Sequence, residues 1–369
     1  MTTFSRSAKV FLSYADEDVE NAMRLRPLLK VAGFDPWLDS NALSRQEPWE
    51  TAMEDAIASS DFVVALLSRC TRGSCQEREL RRAIGDSGGA SVSGKPLILP
   101  CAFTGTRTAS FEDILPEFLR PWHVVDFADF DLGWQRLYTS LYTAARSAGF
   151  WVPKLLRAVP RRDMDRAAVA RMMVTQRFFG RSMNARGGVE EAELRLAPQE
   201  LVVQDRTSGR MWTRGCLNPD VLPEAPLPSV EEEKAHWTLE AERTNEQKTL
   251  IAARLAMKRR MRLAIEEWTT RLNHERLGGY DDWRLPTLEE AMSLMRRDIR
   301  RGGLHISDMF SDHQYIRTAD GSPGPRLPFG LPAEESETIW IVDYQNADCL
   351  ELAEEARVPL RWVRTDLDS

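Results

Sequence analysis

Cysteine is sparse in this sequence. The five thiols, Cys70, Cys75, Cys101, Cys216 and Cys349, are scattered over 369 residues, and no two form a C-x-x-C pair. That spacing supports neither a disulfide framework nor a structural zinc site, and it fits a reducing compartment. Long apolar runs are missing as well. The longest, Phe62–Leu67, is far too short to span a bilayer. The opening residues, MTTFSRSAKVFLSY, lack the extended apolar core of a signal peptide. Positive charge is not in excess: the net charge is −7, which leaves no global basic field for nucleic acid or an anionic membrane. No internal repeat is visible. Together these absences predict a soluble, cytoplasmic protein without a metal site, a membrane partner or a nucleic-acid partner.

What is present is enough apolar material, 43% of residues, for two or three domains with real cores. The first 150 residues alternate short apolar runs with amphipathic stretches. Strands are predicted at Val10–Leu12, Phe34–Leu38, Phe62–Leu67, Pro96–Leu99 and His123–Val125. Between them, helical periods occupy 17–32 (stopped by Gly33), 48–57, 75–85 and 131–147. The unbroken apolar run at 62–67 reads as a strand buried on both faces. Such alternation implies α/β structure, a parallel sheet covered on both sides. Residues 149–195 differ. Pro153 and Pro160 interrupt the chain, and 163–179 is a basic, helix-compatible stretch, read as a helical linker with a solvated Arg face. From 196 onward the pattern is α+β. Strands are predicted at Leu201–Val203, Thr338–Tyr344 and Leu360–Val363, with a turn signal at Asp205–Gly209 leading into Met211-Trp212, a long helix at 231–276 and a short one at 288–300. Gly/Pro turns fill 302–332.

In an open parallel sheet the ligand crevice lies beyond the carboxyl ends of the strands. The segments that matter are therefore Ser13–Asp18, Asp39–Trp49 and Ser68–Glu79. Ser74 and Glu77 have the spacing of a capping box, which gives Glu77 a structural task. Glu79 lies two residues further on. It shares a helix face with Cys75, beside the apolar stripe Leu80, Ala83 and Ile84. Spacing alone leaves two roles for Glu79: a surface pair with Arg82, or a carboxylate at the crevice. Phe11, Ser13 and Tyr14 end the first strand and either pack or border a ligand. Trp49 either anchors a helix start beside Pro48 or stacks on a flat ring. Cys75 has no histidine within sequence reach to activate it as a nucleophile.

KVFLSYADED at 9–18, SSDFVVALLS at 59–68, and Ser74 followed by Glu79-Leu80 and Ala83 occur in the order found in TIR domains, and residues 1–148 resemble the bacterial members. The resemblance implies a flavodoxin-like fold with a five-stranded parallel sheet. It implies an NAD+ glycohydrolase in which NAD+ is the substrate, with no further cofactor, and Glu79 is the catalytic carboxylate. Phe11, Ser13, Tyr14, Asp39, Trp49, Ser68 and Cys75 would line the substrate site, Asp39–Trp49 being the family's loop over it. The sequence departs from the family at Cys75, where many enzymatic members have Trp, and at Gln46-Glu47-Pro48, where a Gly usually precedes the loop Trp. The resemblance to phospho-receiver domains at Asp16 and Asp18 is superficial, because those domains end the third strand with Asp and this chain has Ser68.

One carboxylate suits the implied chemistry. Glycosidases need a second carboxyl to protonate the leaving group. Nicotinamide leaves from a pyridinium that is already cationic and needs no proton, so a single anion facing the oxocarbenium-like ribose suffices. Attack by water would give ADP-ribose, and attack by adenine a cyclic product.

VVQDRTSGRMWTRG at 202–215, GGYDDWRLPTLEEAMSL at 278–294 and PLRWVR at 359–364 resemble a bacterial family related to the C-terminal domain of the Legionella collagen-like protein. Trp362 stands where that family commonly has Cys. This implies a C-type-lectin-like fold for 196–369, a recognition domain rather than an enzyme. The Trp and Pro residues of these stretches are expected to be loop-packing core. The joint expectation is an anti-phage effector. An unidentified trigger would act on the C-terminal domain, and self-association through TIR domains would switch on NAD+ cleavage. The alternative is a non-enzymatic TIR scaffold that works by TIR–TIR contact.

Overall fold

The computed structural model describes residues 7–37, 55–69, 71, 75–84, 96–103, 114–188, 192–197, 199–218, 245–311, 314–323 and 337–365; within these, the side chains of residues 75, 79, 82–84, 245–252 and 301 fall outside the description. The chain divides into two units, Met1–Lys154 and Leu155–Ser369.

The first unit is a five-stranded, wholly parallel sheet: β1 (Lys9–Ser13), β2 (Asp35–Trp37), β3 (Phe62–Leu67), β4 (Leu97–Ala102) and β5 (Val125–Asp126), in the order β2-β1-β3-β4-β5. Every residue of β3 is buried, as a strand covered on both faces requires. Its alternate residues enter two separate cores. Phe62, Val64 and Leu66 join Val10, Leu12 and the buried faces of α1 (Val19–Val31) and of a later helix, Phe130–Ser147. Val63, Ala65 and Leu67 join Phe11, Ile57 and Leu80 on the other face. Leu80 belongs to α2 (Cys75–Ile84), and Phe130–Ser147 is α3.

Local signals set the boundaries. Gly33 takes φ +85°, and its neighbours close a Schellman cap through Gly33 N–H to the Lys30 carbonyl and Phe34 N–H to the Leu29 carbonyl. The chain then turns directly into β2. Asp129 caps α3 by accepting from the Leu132 amide at 3.0 Å. Pro100 lies inside β4, where a missing N–H normally breaks a ladder. Leu97 and Phe103 bond toward β3 and the Ala102 carbonyl toward β5, so the nitrogen of Pro100 faces the β5 side. There β5 pairs only from Cys101 onward, and no ladder bond is lost.

The second unit holds two antiparallel sheets. Their strands are β6 (Leu194–Leu196), β7 (Val202–Asp205), β8 (Arg210–Thr213), β9 (Tyr315–Ser322), β10 (Thr338–Asp343), β11 (Asp348–Ala353) and β12 (Val363–Thr365); one sheet has the order β12-β8-β7-β6 and the other β11-β10-β9. Three helices accompany them: α4 (Arg166–Thr175), α5 (Asn245–His274) and α6 (Leu288–Ser293). The tryptophans expected as core are core: Trp212, Trp283 and Trp362 are buried, and so is Trp340. Trp283 is held on both sides by Asn273, and Trp362 Nε1 donates to Thr269 at 2.9 Å. These bonds, with Ile265, Trp268 and Leu272 packed beside Trp283 and Trp362, make α5 part of this unit's core.

Several sequence expectations are revised here. The stretch 149–195 is not a free-standing linker. Leu156, Met164, Val169, Met173, Phe178 and Phe179 pack into the core of the second unit, so the Arg-rich α4 contributes one buried face and one solvated face. The long helix begins at Asn245, residues 231–244 lying outside the description, and ends at His274. The helix expected over 288–300 stops at Ser293. The turn-rich stretch 302–332 contains a full strand, β9, and the last strand is Val363–Thr365 rather than Leu360–Val363.

Candidate functional site

The strand order β2-β1-β3-β4-β5 reverses direction between β1 and β3. A crevice opens at such a switch point beyond the carboxyl ends of the two strands. Four polar side chains converge there and are buried: Ser13, Ser68, Thr71 and Gln76. Gln76 is the centrepiece. Its Nε2 donates to the Ser13 carbonyl at the end of β1 (3.0 Å) and to the Leu66 carbonyl near the end of β3 (2.7 Å). The first turn of α2 is thereby fastened across the switch point. Two buried oxygens beside these bonds, Ser13 Oγ and Gln76 Oε1, have no hydrogen-bond partner among the described residues. Buried polar atoms are seldom left so, and such atoms at a crevice are suited to meeting a ligand's polar groups.

Ser68 follows β3. Its hydroxyl donates to Asp18 Oδ2 at 2.5 Å, and its amide donates to Thr71 Oγ1 at 3.0 Å. Burial raises the Asp18 pKa above the usual aspartate value, with the Ser68 hydrogen bond working in the opposite direction. The loop after β1 is thus tied to the loop after β3 by a carboxyl–hydroxyl contact.

The predicted site residues fare differently. Ser13 ends β1 and Ser68 follows β3, and both are buried. Phe11 does not border the crevice: the ring is 2% exposed and stacks on Trp37 with centroids 5.0 Å apart and planes 15° apart, which is core packing. Tyr14 is half-buried against the α1 side of the sheet. Asp39 and Trp49 lie outside the described residues. Cys75 and Glu79 lie on α2, with only their backbone described. A helix advances about 100° per residue, which places positions 77 and 79 on opposite flanks of the buried stripe through Gln76 and Leu80. Ser74, the expected capping partner of Glu77, lies outside the described residues; Glu77 pairs with Arg81 at 2.9 Å, and Arg81 stacks over Phe118 in the turn leading to β5. That flank faces β4 and β5.

Sequence reasoning missed Gln76, Asp18 and Thr71. A signal for Gln76 was available: it occupies the first place in the stripe Gln76, Leu80, Ala83, Ile84, and a polar residue on an apolar face needs a buried partner. Its role gives a direct prediction. Gln76→Leu removes two buried bonds between helix and strand ends and is expected to destabilise the first unit by about 1–3 kcal/mol. Urea denaturation of the 369-residue chain measures this, and an unchanged midpoint would contradict the anchoring role.

Five parallel strands in this order, with helices on both faces, define a flavodoxin-like α/β domain with its crevice between β1 and β3. Residues 10–138 match the family described as TIR domain, and the first unit carries a TIR domain. The chain is also similar to a solved structure titled as the crystal structure of a prokaryotic SEFIR domain, at 18% identity, covering 36% of this chain and 97% of that one, with a TM-score of 0.26. No curated protein matches. Among the described residues no helix is long and apolar enough to cross a membrane.

Proposed function

We propose that the TIR domain is an NAD+ glycohydrolase with Glu79 as its catalytic carboxylate. What supports this reading is the Gln76 anchor, which ties the start of α2, the helix that carries Glu79, to the ends of β1 and β3. Two buried oxygens beside it, Ser13 Oγ and Gln76 Oε1, have no partner among the described residues and are suited to meet a ligand. The bond that breaks joins ribose C1′ to the nicotinamide nitrogen. Its electron pair leaves with nicotinamide and neutralises the pyridinium, and the cation left on the ribose is met by the Glu79 carboxylate. Water then adds at C1′ and releases a proton to give ADP-ribose; attack by an adenine nitrogen would give a cyclic product.

Ser13 and Ser68 would contact the ribose or phosphates, with Tyr14 at the margin. Asp39 and Trp49 would belong to the covering loop, and Cys75 would occupy the start of α2. NAD+ is the substrate, and no other cofactor is required. We further read the chain as an effector of anti-phage defence. The second unit, proposed as a C-type-lectin-like sensor, would receive the trigger, and TIR–TIR self-association would complete the site.

The test is nicotinamide release by the purified chain at high protein concentration, followed by chromatography of the adenine-containing product. Release supports the enzyme, and the product separates hydrolysis from cyclisation. Silence in the presence of a crowding agent, with the chain shown to be self-associated, would favour a non-enzymatic TIR scaffold.

A further inference from the structure

The second unit contains a cleft of about 460 Å³ that the reading above does not use. Arg317 and Glu354 lie at its base, both buried, while Arg162 and Arg262 stand half-exposed at its rim. Ile265, Leu285 and Ile339 supply apolar wall. Arg317 is 4% exposed, and its recorded bonds run only from Nη1, to the carbonyls of Glu354 (2.9 Å) and Ala356 (3.3 Å). Among the described residues no carboxylate is paired with it. Glu354, the acid nearest in effect, is already engaged. It accepts a fork from Arg262 at 2.7 and 2.8 Å and has Arg162 at 3.6 Å and Lys258 at 3.8 Å. The lining sets three guanidinium groups (Arg162, Arg262, Arg317) against three carboxylates (Glu266, Glu337, Glu354), and Glu355 also acts on Arg317 from nearby.

A buried guanidinium without a bonded counter-charge is costly, and an oxyanion that binds it in a fork removes that cost. Burial brings the Arg317 pKa down to about 10, with Glu354 opposing the fall and Arg162 and Arg262 adding to it. The volume falls in the range of small-molecule sites, roughly 300–1,000 Å³. Glu266 and Glu337 at the rim disfavour a polyanion and select a ligand with one anionic head.

We propose that this cleft binds a small organic molecule whose carboxylate or phosphate head seats on Arg317 and whose apolar body lies against Ile265, Leu285 and Ile339. The site is independent of NAD+ cleavage, and it gives the second unit a ligand of defined chemistry.

Calorimetric titration of the whole chain with phenyl phosphate, phenylacetate and the neutral phenylethanol tests this. At least one oxyanion probe is expected to bind saturably and the alcohol not at all; which oxyanion binds distinguishes a phosphate from a carboxylate ligand. Arg317→Met is expected to weaken binding about tenfold or more. Arg162→Ala, at the half-exposed rim, is expected to fold normally and to weaken binding a few-fold, which keeps the test available if the buried substitution misfolds. The proposal is overturned by the absence of saturable binding of either oxyanion up to about 10 mM, by equal binding of the alcohol, or by unchanged affinity in the folded variants.

Discussion

Glu79→Ala is expected to lower nicotinamide release from NAD+ by at least about 10²–10³-fold, the scale set by removing one preorganised group that stabilises transition-state charge. The reason is the absence of a substitute. A leaving group that needs no proton places the demand on one anion, so the loss is not shared with a second carboxyl. Glu79→Gln keeps the volume and hydrogen-bonding capacity and removes only the charge. If charge is what matters, it will be nearly as inactive as the alanine variant. If Glu79 mainly holds ribose hydroxyls, Gln will retain a substantial part of the activity. Both substitutions fall beside, not on, the buried stripe of α2, so the unfolding midpoint should hardly move. Full activity in both variants would remove Glu79 from the mechanism.

Asp320→Ala carries the largest expected loss of stability, about 3–5 kcal/mol, because it would leave the Arg161 and Leu288 amides and the half-buried Arg157 guanidinium without their buried acceptor. Asp320 is 0% exposed and accepts four bonds: both terminal nitrogens of Arg157 at 2.8 and 2.6 Å, the Arg161 amide at 2.6 Å and the Leu288 amide at 2.7 Å. One carboxylate therefore fastens the segment 157–161 to the start of α6 and to β9. Urea denaturation measures the loss, and a change below about 1 kcal/mol, the scale of exposed ion pairs, would refute the role. The double variant Arg157→Leu/Asp320→Ala should be less destabilised than the sum of the single changes, since both partners of the fork are removed together.

The neighbouring Glu290 adds a pH signature. It is fully buried and accepts from Arg210 at 2.7 Å, from Arg284 at 2.6 and 2.8 Å and from the Thr287 amide at 3.0 Å. Burial alone would raise its pKa. The Arg284 hydrogen bonds, together with the charges of Arg284 and Arg210, outweigh that and hold it below the usual glutamate value. A depressed carboxylate contributes stability that is complete above the unfolded glutamate pKa, near 4.3, and is lost as pH falls through the folded value. The second unit is therefore expected to lose stability below about pH 4, and Glu290→Gln should flatten that acid limb.

The sequence by itself determined the local elements of the first unit. Phe62–Leu67 could only be a strand buried on both faces, and the structure buries all six residues. Gly33 could only stop a helix, and it does so at φ +85°. Strand–helix alternation implied a parallel sheet, because parallel neighbours need a crossover between them. The placing of Ser13 and Ser68 at the carboxyl ends of β1 and β3 was legible for the same reason.

What only tertiary structure decided depends on contacts far apart in the chain. Gln76 reaches Ser13 and Leu66, and no local rule names the partners of a polar residue on an apolar helix face. Phe11 had two open roles until Trp37 was found stacked upon it. β9 escaped prediction because Arg317, Thr318 and Asp320 are polar yet buried, each bonded to groups from distant segments. β11 escaped because it is an edge strand, with Cys349 its one deeply buried residue, so its apolar period is faint. Residues 155–179 read as a linker for a related reason: their scattered apolar side chains acquire a core only against Trp212, Leu288 and Trp340, which the chain supplies much later. Periodicity is a property of neighbours in sequence, whereas the pairing of a buried polar group, or of an isolated apolar one, is fixed by whichever distant segment the fold brings against it.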